Sequence, residues 1–202
     1  MTAEPGDRAP MGPASKIRYL LPILVLGMGL VLSSNPLPAH SAFAQGPLST
    51  MRVATDKTWR VDNRTTASGV RSSCIPSSWY PAAKLQPAYW IWSKPCTATD
   101  VESHQFSKTF IVGGSVTSAK LEIACDNYAN VRIDGVQVPY PYRVAAASVG
   151  AFENPPTLNV TRLLRPGRNT IVIAVHNYPI GSSPGWSNPA GVLARLTIGH
   201  KG

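Results

Sequence analysis

Apolar residues in this chain recur at every second position, in short runs: FSKTFIV (106–112), AKLEIAC (119–125), ANVRI (129–133), TIVIAV (170–175) and GVLARLTI (191–198). A period of two places alternate side chains on opposite faces of a strand. Helical periodicity is almost absent, and Pro and Gly are spread throughout. Short alternating runs separated by turn residues predict an all-β sandwich or barrel. Asp134-Gly135, between VRI and VQV, is a two-residue hairpin signal because both turn positions favour positive φ. Pro166-Gly167 marks a turn just before TIVIAV, and LNVTRLL ahead of it is short enough for one helical turn. The chain of 202 residues fits one or at most two domains.

The first 44 residues read differently. Lys16 and Arg18 precede the apolar run YLLPILVLGMGLVLSS, and Ala42-Phe43-Ala44 supplies small residues at the spacing of a cleavage site. A basic start, a short apolar run and an A-x-A ending describe a secretory signal peptide. The run is shorter than the roughly 20 residues a spanning helix needs. The expected division is therefore 1–44 as leader with an N-terminal extension, and 45–202 as a single domain. Cleavage after Ala44 would leave a secreted or periplasmic protein with no stable membrane anchor.

The whole chain carries 19 basic and 10 acidic residues. Arg8, Lys16, Arg18, Glu4 and Asp7 leave with the leader, so residues 45–202 keep a net charge of +8. Such a charge suits anionic surfaces. The basic residues are scattered, however, and the nearest thing to a cluster is RLLRPGR. Nucleic acid is therefore not an expected partner.

Export permits disulfides. Cys74 and Cys96 lie in loop-like sequence, SSCIPSS and SKPCTAT. Cys125 shares one face of an alternating strand with Leu121 and Ile123. This predicts a Cys74–Cys96 bridge and a buried free Cys125.

The motifs of common catalysts are missing: the chain has no G-x-S-x-G, P-loop or H-E-x-x-H. His104, His176 and His200 have no second ligand at zinc spacing. Asp100 and Glu102 fall on one face of a strand, with nothing to set a substrate between them. Catalysis is not expected. Trp90 and Trp92 flank Ile91 and are expected to share one face of a strand and to pack in the core. Aromatic residues in loops are the better lead, because a sugar ring packs its C–H groups on an electron-rich face. Trp186 lies in PIGSSPGWSNPAG, and Tyr140 and Tyr142 lie in PYPYR beside Arg143. Trp186, Tyr140, Tyr142, Arg143 and Asn188 are the expected ligand contacts, since loops carry function. Asp126-Asn127 breaks the alternation of LEIACDNYANVRID, and the pair is expected to act as a hinge through its short polar side chains.

An ordered series of segments resembles the galactose-binding-like jelly-roll domain. It runs ATDKTWRV, WYPAAKL, YWIWS, FSKTFIV, SAKLEIACDNYANVRIDGVQV, LNVTRLLRPGRNTIVIAVHN and NPAGVLARLTI, and covers Met51 to Ile198. The resemblance implies a jelly-roll β-sandwich of two antiparallel sheets, of the carbohydrate-binding type found in glycoside hydrolases and bacterial surface proteins. It also implies a structural calcium as the one candidate cofactor. Asp56, Asp100 and Asp126 are the residues that could serve calcium, although no Asp-rich loop is present. The expected function is a secreted, non-catalytic module for a carbohydrate or cell-surface glycan. The alternative is a structural or adhesive extracellular subunit with a protein partner. A glycan-active enzyme ranks below both.

Overall fold

A computed structural model describes residues 46–96, 102–143, 151–178 and 188–202. The expected leader, Asp100 and Trp186 lie outside the described residues. Everything described belongs to one compact unit, Phe43–Gly202.

The strands are β1 (Leu48–Ala54), β2 (Arg60–Val61), β3 (Thr65–Thr66), β4 (Ser68–Gly69), β5 (Ile91–Trp92), β6 (Glu102–Val112), β7 (Ser115–Asp126), β8 (Tyr128–Ile133), β9 (Val136–Gln137), β10 (Thr157–Asn159), β11 (Gly167–Asn177) and β12 (Gly191–Lys201). Two six-stranded sheets form from them. The first has the order β10-β7-β12-β5-β4, with β1 also on β12, and the second has the order β3-β2-β6-β11-β8-β9. The pairings are antiparallel, as in the long ladders β12–β7 and β11–β6. This is the sandwich that the alternation predicts.

The two sheets bury one face each against the other. Leu121, Ile123 and Cys125 from β7 meet Phe106 and Phe110 from β6 and Ile171, Ile173 and Val175 from β11. Each fully buried aliphatic or aromatic side chain contributes about 1.5–3 kcal/mol relative to exposure. Asp134 and Gly135 have φ of 47° and 83°, the positive values that a tight hairpin needs. A single 3-10 turn, Thr161–Leu163, follows β10.

A second apolar cluster lies apart from this core. Trp79, Leu85, Ala88 and Trp90 pack with Ala124 of β7 and Leu193 of β12. In β7, Ala124 alternates with Ile123 and Cys125 of the main core, so the cluster covers the outward face of the first sheet. Gly191 makes room for it. A Cβ there would come within 2.9 Å of both Trp79 and Trp90. The disulfide Cys74–Cys96 (Cα–Cα 5.8 Å) brackets the covering segment, and Cys125 is free and buried.

One expectation changes. Trp90 and Trp92 do not share a face. Strand β5 contains only Ile91 and Trp92, so Trp90 precedes it. Trp92 enters the main core, 5.4 Å from Phe106, whereas Trp90 packs outside the first sheet, 4.2 Å from Trp79.

Candidate functional site

Among the described residues, the outward face of the second sheet has no comparable cover. Alternation in β11 points Ile171, Ile173 and Val175 inward, which leaves Thr170, Val172, Ala174 and His176 on the other face. Register extends that face across three strands. Tyr128, His176 and Ser103 form one row. Asn130, Ala174 and Gln105 form the next, and Arg132, Val172 and Ser107 the third. Val172 and Ala174 thus occupy the centre, with Asn130 and Arg132 on one side and Gln105 and Ser107 on the other.

The result is a trough of about 420 Å³ lined by Gln105, Asn130, Arg132, Gln137, Val172 and Ala174. Val172 and Ala174 are its apolar floor. Amide side chains supply both donors and acceptors, and Arg132 supplies donors only. Gln137 is held by its own bonds, its Nε2 donating to the carbonyls of Val131 (3.0 Å) and Val138 (3.2 Å). It also lines a hollow of about 600 Å³ at the sheet edge, with Thr117, Pro139, Asn159, Thr161, Arg162 and Leu163. That larger hollow lacks an aromatic wall.

Two residues along the strands, about 7 Å from the Asn130 row, stands an aromatic stack. The Tyr128 ring lies 4.6 Å from that of His176 and 5.4 Å from that of Tyr178, with interplanar angles of 18° and 19°. The Tyr128 and Tyr178 hydroxyls are 2.9 Å apart. His176 Nδ1 lies 2.8 Å from the Ser103 hydroxyl. Burial pushes the His176 pKa down. Burial and the adjoining Tyr178 hydroxyl push Tyr128 up to about 12. Tyr178 is 40% exposed.

Asp126-Asn127 sets this stack in place. The pair, joined by a cis peptide, ends β7 and precedes Tyr128. Both side chains are buried. Asn127 Nδ2 donates to Asp126 Oδ1 (2.7 Å), and the Asn127 amide N–H donates to the His176 carbonyl (2.9 Å). Asn127 Oδ1 accepts from the Tyr178 N–H (2.5 Å). The bend thus ties the start of β8 to the end of β11, where the three rings meet. Burial pushes the Asp126 carboxyl up to about 7, opposed by hydrogen bonds from Trp79 and Asn127.

The loop residues expected to contact ligand are placed variously. Tyr140 is 1% exposed, so its ring is not the open face that its loop position suggests. The reason is local. Its hydroxyl lies 3.4 Å from Cys125 Sγ and donates to the Ile123 carbonyl at 3.4 Å, drawing the ring into the main core. Burial pushes its pKa up, and burial likewise raises Cys125 to about 12. Tyr142 is half-buried against Tyr140, edge to face at 5.6 Å. Arg143 is exposed, and Asn188 is buried.

Asp56 accepts from the Thr58 N–H (2.8 Å), and Lys108 Nζ lies 3.9 Å from it. Among the described residues no group of three His, Cys, Asp or Glu side chains is placed to hold a metal ion. Asp62 and Glu102 flank His104 at 2.8 and 3.6 Å. Glu102 also accepts from Trp92 Nε1 (2.9 Å) and Lys94 Nζ (3.1 Å), and Asp62 accepts from the Gln105 N–H (2.8 Å). These carboxylates hold strands and loops together.

The trough was not among the residues that sequence patterning favoured. Its signal was present in the alternation of TIVIAVHN and YANVRI, which puts Val172, Ala174 and His176 beside Tyr128, Asn130 and Arg132 once the register is known.

No family model and no curated protein matches this chain. Several solved structures are similar in part. An α-L-rhamnosidase from Streptomyces avermitilis, complexed with L-rhamnose, matches at 21% identity and a TM-score of 0.48 over 73% of this chain and 13% of its own. A Pleurotus ostreatus lectin in apo form matches at 19% identity and 0.39, over 56% and 32%. A β-glucuronidase from Ruminococcus gnavus matches at 10% identity and 0.42, over 74% and 28%. The structural neighbours are thus glycosidase chains and a lectin, and this chain spans less than a third of each of the three.

Proposed function

We propose that this chain is an exported, non-catalytic, galactose-binding-like module that holds a carbohydrate on the outward face of its second sheet. The observation that carries this reading is the Tyr128–His176–Tyr178 stack at the head of a trough walled by amides. A pyranose has two chemistries to satisfy. Its C–H faces pack on aromatic or aliphatic surface, and its hydroxyls exchange hydrogen bonds with side chains that both donate and accept. The site offers both within one face. Its lining supplies packing and hydrogen bonding, not a carboxylate pair for proton transfer. Export through a leader cut after Ala44 fits the disulfide, which belongs to an oxidising compartment. Trp186, Tyr142, Arg143 and Asn188 are proposed as a further contact group for the same ligand class.

The test is a panel of soluble polysaccharides in affinity electrophoresis, run with wild type and Tyr178→Ala. Tyr178 is exposed, so its loss leaves the fold intact. The expected result is retention by at least one glycan, weakened about tenfold in Tyr178→Ala. Equal retention of both proteins would move the site off this face. Retention by no glycan would remove the carbohydrate reading.

A further inference from the structure

The trough carries one charged side chain, and we infer that it selects an oligosaccharide bearing a uronic acid, whose carboxylate is held by Arg132. This inference rests on the carbohydrate reading and narrows it. Arg132 lines the trough on β8 and is exposed. Among the described residues no carboxylate lies within ion-pair distance of it. The acids of the same sheet are committed elsewhere. Asp134, two residues away, accepts from the Thr170 N–H at 2.8 Å and pairs with Arg165 Nε at 3.4 Å. Asp62 is taken by His104 and the Gln105 amide, and Glu102 by Trp92 and Lys94. The other polar lining residues, Gln105, Asn130 and Gln137, are neutral. Arg132 is therefore the one charged group in the trough lining.

A guanidinium presents its N–H groups in a planar fork that matches a carboxylate with two parallel hydrogen bonds. A neutral sugar offers it only hydroxyls. Arg132 stands four residues from Tyr128, about 13 Å along the strand. That is farther than one pyranose ring extends, so the aromatic stack and the guanidinium meet different units of one chain. The ligand is then an acidic oligosaccharide and not a single sugar.

The experiment compares polygalacturonate, neutral galactan and dextran sulfate as ligands for the wild-type chain, Arg132→Gln and Arg52→Gln. Arg52 is exposed on β1 of the other sheet and controls for bulk positive charge. The expected result is about tenfold or more tighter binding of polygalacturonate than of galactan. Arg132→Gln removes that difference, bringing polygalacturonate binding down to the level of galactan, and Arg52→Gln leaves the difference unchanged. Equal binding of polygalacturonate and galactan by wild type overturns the inference and leaves the carbohydrate reading standing. So does an equal loss in the two arginine variants, which assigns the preference to bulk charge. Dextran sulfate bound as tightly as polygalacturonate, with the same dependence on Arg132, overturns selection for a carboxylate. Binding of none of the three overturns this inference, and the wider glycan panel above then decides the carbohydrate reading.

Discussion

The two sheets turn very different outer faces away from the shared core. On the first, Ala124 and Leu193 pair across β7 and β12 beneath Trp79, Leu85, Ala88 and Trp90. On the second, Val172 and Ala174 sit at equivalent central positions, yet they remain half-exposed between Asn130, Arg132 and Gln105. Both faces have an aliphatic floor. Among the described residues, only the first has a cover supplied by its own chain. The cover is bracketed by a disulfide, admitted by a side-chain-free Gly191 and anchored by a hydrogen bond from Trp90 Nε1 to the Tyr80 carbonyl (3.1 Å). The other floor is ringed with the polar side chains of Gln105, Asn130, Arg132 and Gln137. Among the described residues, the first floor is built into the packing, and the second stays open between hydrogen-bonding walls.

The sharpest way to break this contrast is to remove the cover. Trp90 is 1% exposed, so Trp90→Ala leaves a large void over Ala124 and Leu193. The expected loss is about 3–5 kcal/mol in urea unfolding. A loss below about 1 kcal/mol would mean that the covering segment packs too loosely to count as part of the fold.

How far the sequence anticipates this division depends on the element. Strand β11 is legible in its centre: TIVIAV reads as a strand in the sequence, and Ile171, Ile173 and Val175 fill the core. The hairpin at Asp134-Gly135 and the Cys74–Cys96 bridge follow from local chemistry as well. Trp90 is not legible, because a strand of two residues is too short to carry a period, and Trp92 within it and Trp90 before it fall on different sides of the first sheet. Tyr140 misleads for a related reason. A loop rich in Pro looks exposed, but its ring reaches Cys125, fifteen residues away, and only the folded register brings them together. The trough needs the same long-range information. Tyr128 and His176 are 48 positions apart in sequence and adjacent only through the β8–β11 pairing.

Asp126 tests the seam between the two faces by pH. It is fixed by Trp79 from the covered side and by Asn127 from the side of the aromatic stack. Burial raises its folded-state pKa to about 7 from an ordinary 3.8. A carboxyl raised in this way contributes most to stability below pH 3.8, where both states are protonated. That contribution is lost as the pH rises through 7, because the unfolded state gains by ionising first. Asp126→Asn cannot ionise. The stability of wild type relative to Asp126→Asn is therefore expected to fall by on the order of 2 kcal/mol between pH 5 and pH 8. Denaturation midpoints of the two proteins at several pH values measure this. A gap that moves the other way would mean that the folded protein holds the carboxylate ionised, and that the bend is more open to water than its burial implies.

The smallest expected effect on stability comes from the open face, and it is the most informative. Ala174→Ile fills the trough floor without touching the core, since Ala174 points away from Ile173 and Val175. A β-branched residue suits a central strand. The unfolding free energy should change by no more than about 0.5 kcal/mol, as at other surface positions. Glycan retention should nevertheless fall about as far as in Tyr178→Ala, because the added branches occupy the space between Asn130 and Gln105 where a ring would lie. The matching substitution under the cover, Leu193→Ala, should behave in the opposite way, lowering stability by about 2–5 kcal/mol while the protein that remains folded binds as before. Retained binding in Ala174→Ile would separate the trough from recognition, and loss of binding in folded Leu193→Ala would show that the covered face takes part in it.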